Sequence, residues 1–495
     1  MKRLRAIRTT VAAIFLLGIT LLFLDITGVL HHYLGWMAQL QLIPAILSFN
    51  IGVVVTLLIL TALFGRVYCS VICPLGVMQD LFSRIGVKHR GGYHYRPAHN
   101  VLRYTSLTLF ILLLLLGVNS IALFFAPYSA YGRIASTLLQ PLYVWGNNLM
   151  AALTANSQTY LFYSTPLFWR GAVAICTAMA TLLLIGYCSL HYGRLWCNTI
   201  CPVGALLSIV SRYALFRVTI DADRCQHCSQ CAKKCKSSCI DHDRHLVDGS
   251  RCVACMNCLD ACKFNAIHFQ LSYFNTSKDS DQQNNPSDSV DHSRRRFLST
   301  TALVAASATL SATAKEVDGG MAAIEHKQKP ARCTPVRPFG SNSQRHFSSH
   351  CTACMLCVSQ CPQHILYPSQ RWESLMQPEM QFSDGYCPPE CTRCSQVCPT
   401  GAIRPISPEQ KTGISVGYAV VVADNCIAFT QSENCGSCAR HCPAAAIIMV
   451  RDANGRSLPA VDENFCIGCG TCEFYCPARP FSAIYVEGRD SHTQI

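Results

Sequence analysis

Cys225-Gln226-His227-Cys228-Ser229-Gln230-Cys231-Ala232-Lys233-Lys234-Cys235 sets four thiols in the pattern C-x2-C-x2-C-x3-C. The pattern returns at Cys252, Cys255, Cys258 and Cys262. Four more groups lie downstream: Cys351, Cys354, Cys357 and Cys361; Cys387, Cys391, Cys394 and Cys398; Cys426, Cys435, Cys438 and Cys442; and Cys466, Cys469, Cys472 and Cys476. Three thiolates in a tight loop can wrap three irons of a cubane, and the fourth, three residues on, points toward a partner cluster. Soft thiolates select iron–sulfur or zinc, but structural zinc usually uses C-x2-C pairs separated by a longer loop. The groups therefore predict about six [4Fe-4S] clusters. The crossing rule puts Cys262 with Cys225, Cys228 and Cys231, and Cys235 with Cys252, Cys255 and Cys258. The last four groups can pair sequentially or in nested fashion. The nested arrangement, with the two regular outer groups together, is the expectation.

The wider composition agrees with a metal-rich chain partly in lipid. Of 32 cysteines in 495 residues, 28 fall into eight regular motifs, which argues against a disulfide framework. No C-x-x-C-H occurs and no apolar span carries an interior His pair, so no haem is expected. Half the residues are hydrophobic and 14% are charged, against roughly a quarter in ordinary soluble proteins. A simple soluble hydrolase, a collagen-like fibre and a mainly disordered chain are excluded. Residues 316–495 hold 14 basic against 16 acidic residues, so the net +13 arises upstream. That excess flanks apolar spans, which is a membrane topology signal rather than a footprint for nucleic acid.

Four spans are expected, over about 9–30, 43–64, 102–125 and 168–187. No small-x-small site follows the first, which argues against a cleaved signal peptide. The segment 65–103 holds Arg66, Arg84, Lys88, Arg90, Arg96 and Arg103, whereas 126–167 holds only Arg133. The positive-inside rule then puts the N-terminus, 65–103 and the region after 190 in the cytoplasm.

Two further motifs form an internal repeat: Gly65-Arg66-Val67-Tyr68-Cys69-x3-Cys73-Pro74-Leu75-Gly76 and Gly193-Arg194-Leu195-Trp196-Cys197-x3-Cys201-Pro202-Val203-Gly204. Each copy lies on the cytoplasmic edge after an inward-going span. Cys69, Cys73, Cys197 and Cys201 together could bind a metal cluster or act as a dithiol redox pair. Asp25, His31 and His32 fall at the outer edge, where a quinol oxidised there would need a proton acceptor. Interfacial polar residues are the simpler reading of those three. Cys176, Cys188, Cys239 and Cys333 follow no motif, and buried apolar Cys is the default for Cys176 and Cys188.

Residues 271–292 read as a polar linker. Ser293-Arg294-Arg295-Arg296-Phe297-Leu298 and the mild apolar stretch after it form a twin-arginine-like signal or anchor over 293–316. Ala312-Thr313-Ala314 resembles a cleavage site.

Residues 1–270 resemble the NapH-type membrane ferredoxins: four spans, two G-R-x-x-C-x3-C-P copies, then a two-cluster ferredoxin. Gln41-x2-Pro44 and Pro127-Tyr128-Ser129-x-Tyr131-Gly132-Arg133 are similar to that group too. Residues 293–485 resemble the NapG-type ferredoxins, with a twin-arginine signal, Arg337-Pro338-x-Gly340 and four cluster motifs including Cys398-Pro399-Thr400-Gly401-Ala402. The chain looks like a fusion of the two, similar also to the MauN/MauM pair. Cys387-x3-Cys391-x2-Cys394-x3-Cys398 departs from the family's usual C-x2-C-x4-C-x3-C and shifts one ligand.

The expected fold is a membrane α-helical bundle with α+β bacterial-type ferredoxin domains. It comprises a four-span domain (1–215), a cytoplasmic two-cluster ferredoxin (216–270), the linker (271–292), the signal or anchor (293–316) and a four-cluster ferredoxin (317–495), periplasmic in this reading. The resemblance implies a quinol dehydrogenase component of the bacterial inner membrane. It would pass electrons from the quinone pool, menaquinol or another quinol, to a periplasmic reductase or electron carrier in anaerobic respiration. The alternative is a redox maturation or assembly factor for a copper or oxidase centre.

Overall fold

The computed structural model describes residues 2–154, 163–271, 327–431, 433–453 and 455–495. The twin-arginine-like segment, the possible cleavage site and nearly all of the linker lie outside the described residues.

Helix α1 (Lys2–Leu24) is an unbroken apolar helix of 23 residues. It buries Ile19, Leu22 and Phe23 and exposes Ile14, Leu17 and Leu21. The second expected span is interrupted. Phe49 takes φ 54°, and Asn50 then caps helix α2 (Ile51–Phe64) by accepting from the Val53 N–H at 3.3 Å. Gly65, at φ 74°, ends α2 after 14 residues, about 21 Å against the ~30 Å of a bilayer core. Helix α3 (Pro74–Arg90) starts on a proline, whose missing N–H suits the first helical position. Helix α4 (Asn100–Leu115) has 16 residues, and the chain turns at Gly117 with φ 78°. Helices α5 (Pro127–Ile134), α6 (Ala172–Tyr192) and α7 (Pro202–Ser211) complete the part of the bundle that matters here. The expectation of four full-length spans is thereby corrected. Among the described residues, two helices are long and apolar enough to cross a membrane, Arg3–Leu24 and Ala172–Tyr192. Only 28% of each is buried, so both present apolar surface outward.

The two C-x3-C-P copies fold alike. In each, a short helix carries the first cysteine, and the second cysteine caps a proline-initiated helix, α3 or α7. A Cβ on Gly76 would lie 2.2 Å from the Cys69 carbonyl oxygen, and one on Gly204 would lie 2.0 Å from that of Cys197. The glycine after each C-P therefore lets the helix start close onto the first cysteine of its own motif.

The first Cys-rich unit is closed by Phe216–Ile220 paired antiparallel with Ile267–Leu271. The second holds three antiparallel pairs, of which Ile414–Val421 with Ile484–Gln494 is the longest. The two units sit at opposite ends of α1. Arg5 meets Asp260 of the first unit at 2.9 Å. Gln360 of the second donates to the Leu22 and Asp25 carbonyls, both at 2.9 Å. Residues 5 and 22 are about 26 Å apart along the helix. One hydrophobic core runs through the bundle from Val253 of the first unit to Cys351 and Cys466 of the second.

Candidate redox centres

The thiol loops wind by a repeated backbone device. The residues flanking the middle cysteine take left-handed conformations: His227 and Ser229, Ala254 and Met256, Ala353 and Met355, Gly468 and Gly470. Such turns cost non-glycine residues of order 1 kcal/mol each, and here they bend three cysteines around a common point. A short helix then carries the third cysteine, and the fourth sits beyond it in an extended conformation, as at Cys235, Cys262, Cys398 and Cys476.

The fourth cysteine crosses to the neighbouring loop. Cys262 lines one cavity with Cys225, Cys228 and Cys231. Cys235 interacts electrostatically with Cys252, Cys255 and Cys258. Both follow the crossing rule. In the second unit Cys361 lines a cavity with Cys387, Cys391 and Cys394, so the shifted Cys391 stays within its group. Cys398 faces Cys351, Cys354 and Cys357. Cys476 joins Cys426, Cys435 and Cys438, and Cys442 joins Cys466, Cys469 and Cys472. The pairing is sequential, and the nested expectation is corrected: adjacent groups fold as one unit, and the fourth cysteine reaches only its neighbour. Six sets of four thiols, each gathered at one point, suit a thiolate-ligated four-iron cluster, which supplies one-electron transfer.

A seventh set lies inside the bundle. Cys69, Cys73, Cys197 and Cys201 are all buried and interact electrostatically across the two repeats. The repeats also exchange arginines. Arg66 donates to the Gly204 carbonyl at 3.2 Å, to Asn198 Oδ1 at 2.5 Å and to the Arg251 carbonyl. Arg194 donates to the Cys69 carbonyl at 2.6 Å. Both guanidinium groups are fully buried. The Arg66 contacts are all neutral and its Nε has no hydrogen-bond partner, so an anionic cluster on the four thiolates would complete its surroundings. Asp80 collects Arg194 at 2.8 Å and Arg8 and Lys236 at 3.2 Å. Burial alone would raise this carboxyl, but Arg194, Lys236 and Arg8 hold it well below the usual carboxylate range.

These contacts link the centres in order. Lys236, beside Asp80, also faces Cys255 of the first unit. On the other side, the Tyr68 hydroxyl donates to Gln41 Oε1 at 3.1 Å and faces Cys73, Cys69 and Cys201. Helix α3, capped by Cys73, packs on α5. There Tyr128 faces Cys354 and Cys398, and Arg133 faces Cys354. A Cβ on Gly132 would lie 2.2 Å from the Cys354 carbonyl. Farther out, the Cys387 N–H donates to the Cys469 carbonyl at 3.0 Å.

The 4Fe-4S binding domain family matches residues 47–92 with 172–220, which include both C-x3-C-P copies, and also 245–268 and 457–478. A 4Fe-4S dicluster domain matches 350–402. The ferredoxin-type protein NapF of Escherichia coli K12 is 31% identical over 151 residues, 30% of this chain and 85% of that protein. The chain belongs to the Nap/Mau ferredoxin-type family. NapG of Escherichia coli K12 is 34% identical over 177 residues, covering 32% of this chain and 75% of NapG. The methylamine utilization ferredoxin-type protein MauM of Methylobacillus flagellatus is 34% identical over 167 residues, 32% and 70% of the two chains. No solved structure matches. As a Nap/Mau ferredoxin-type protein it is an iron–sulfur electron carrier.

The remaining sequence candidates of this Nap/Mau ferredoxin-type chain fare unevenly. Asp25 Oδ1 accepts from the Thr27 and Gly28 N–H groups and the Thr27 hydroxyl, and Oδ2 from the Leu30 and His31 N–H groups, at 2.8–3.3 Å. These five hydrogen bonds shape a turn around its carboxylate. His31 is half-buried, with its backbone N–H on Asp25 Oδ2, and His32 is exposed, edge-on to Tyr33; the two histidines line one outer cavity. Cys239 is buried, with its sulfur 3.5 Å from that of Cys235; its place just past the C-x3-C step was the available signal. Cys176 is exposed and Cys188 half-buried, which corrects the buried reading, and Cys333 is exposed.

Proposed function

We propose that this chain is a membrane-embedded quinol dehydrogenase module, carrying about six [4Fe-4S] clusters in its two ferredoxin units and a seventh redox centre on Cys69, Cys73, Cys197 and Cys201. The first unit faces the cytoplasm and the second the periplasm, where a reductase or electron carrier takes the electrons. What supports this reading most is the buried four-thiol set between two Cys-rich units at opposite ends of α1. The basic segment 65–103 on the first unit's side supports the orientation. The outward apolar surface of α1 and α6 supports a multi-pass protein of the inner membrane. The residues' part in electron transfer is to hold the thiolates at fixed spacing and to surround them with buried guanidiniums that favour the extra electron.

Iron and sulfide analysis of anaerobically purified protein tests the reading, with EPR before and after a quinol analogue. Iron near the level of seven clusters, reduced by quinol, supports it. A colourless, iron-free preparation overturns it. Full iron with no response to quinol favours the maturation factor.

A further inference from the structure

The outer end of the bundle encloses a cavity of about 450 Å3 between its helices and the second unit. Val144, Phe168 and Arg170 line it from the bundle side, and Gln360, Cys361 and His364 from the other. The Phe168 and His364 rings, both on this lining, stack with their centroids 3.9 Å apart. Gln360 is 2% exposed. Its amide nitrogen is engaged by the Leu22 and Asp25 carbonyls, but its Oε1 has no hydrogen-bond partner. Thr165 Oγ1, on the same wall system, is also buried and unpartnered. A buried acceptor left unsatisfied is destabilising, so its presence at a cavity wall points to a ligand that donates. The helix leading in, Gln140–Thr154, exposes Leu142, Trp145 and Leu149, an apolar approach from lipid with an aromatic at its edge.

We propose that this cavity binds the head group of a quinol, with one hydroxyl donating to Gln360 Oε1 and the ring lying along the Phe168–His364 wall. The size falls in the range of small-ligand sites, and the lining sets apolar side chains such as Val144 and Phe168 beside the polar Gln140, Gln360, Arg170 and Arg393. The inference rests on the quinol dehydrogenase reading and adds the entry point. Cys361 belongs to the four-thiol group with Cys387, Cys391 and Cys394, and that group adjoins the one with Cys357. Oxidation breaks both O–H bonds of the quinol and gives the quinone. Oxidised iron–sulfur clusters held by these two adjoining thiol groups would take up the two electrons, one each. The two protons pass to water at the cavity mouth. Electrons thus enter within the outer unit.

The test uses the full chain, purified anaerobically in lipid nanodiscs, and a photoreactive azido-quinone. Illumination should label peptides holding residues 140–144, 163–170 or 359–364, and excess unlabelled quinone should suppress the label. Val144→Trp fills the cavity and should remove the label. It should also slow quinol-driven cluster reduction by about tenfold or more, equivalent to roughly 1.4 kcal/mol of head-group binding, with the dithionite-reduced EPR spectrum unchanged. Label confined to 27–39 or to the region of Cys69, or an unslowed Val144→Trp variant, overturns the site while leaving the quinol reading in place. If the wild type is neither labelled anywhere nor reduced by quinol, the quinol reading itself falls. The wild-type labelling map decides the site even where a variant fails to fold.

Discussion

The Arg194 guanidinium and the Asp80 carboxylate meet at 2.8 Å in a fully buried setting, while the same arginine holds the Cys69 carbonyl at 2.6 Å. Asp80 therefore orients one thiol motif through the arginine of the other. It also ties down Lys236, the residue after Cys235.

Replacing Asp80 by Asn leaves Arg194, Lys236 and Arg8 crowded without an anion. The expected cost is about 3–5 kcal/mol, as for breaking a buried ion pair. Thermal unfolding measured with and without the substitution checks this. The pH dependence has a definite sign. The folded carboxyl is held below its unfolded value, so the stabilisation is complete above about pH 4 and fades as acid protonates the folded group. The gap between wild type and Asp80→Asn should narrow only on strong acidification.

Gly204→Ala places a methyl group where backbone already lies, 2.0 Å from the Cys197 carbonyl. Helix α7 must then shift away from its motif. Loss of the bundle centre is expected, with the six ferredoxin groups retained. Quantified iron should drop by about four atoms per chain, one cubane's worth. An unchanged iron content would show that no cluster sits on these four thiols.

The sequential pairing makes a double substitution diagnostic. Cys361→Ala and Cys394→Ala strike the same four-thiol set, so together they should cost one cluster, about four irons. Under nested pairing they would cost two. Iron analysis of the single and double variants decides, because residues acting on one unit are strongly non-additive.

Gly132 lies on the seam between the bundle and the outer unit, where an added Cβ would meet the Cys354 carbonyl at 2.2 Å. Gly132→Val should pry the Cys354 loop from α5 without touching any thiol. All iron should remain, but equilibration of electrons between the two Cys-rich units should slow. Rapid-freeze EPR after partial reduction would follow it.

The cysteine groups were legible because their spacing is local: the four thiols of each lie within 11 to 17 consecutive residues. The pairing of four groups was not, because Cys361 finds Cys387 only through the fold. Span length was overread where Phe49 and Gly117 break an apolar run, since hydropathy does not register a turn at positive φ. The turn around Asp25 was not legible, because it is formed by backbone N–H groups, which carry no sequence signature. Gln360 gave no advance signal, and Arg66 was visible only as a motif position; their importance comes from which polar atoms are left over after packing.

The crossed arginines have a consequence for how such a protein can be divided. Arg66 serves the half containing Gly204, and Arg194 serves the half containing Cys69. Neither half owns a complete set of contacts. A shortened polypeptide with a single copy would have to associate with a twin before its thiols could meet their cation, so the duplication encodes in one gene what would otherwise be a dimer.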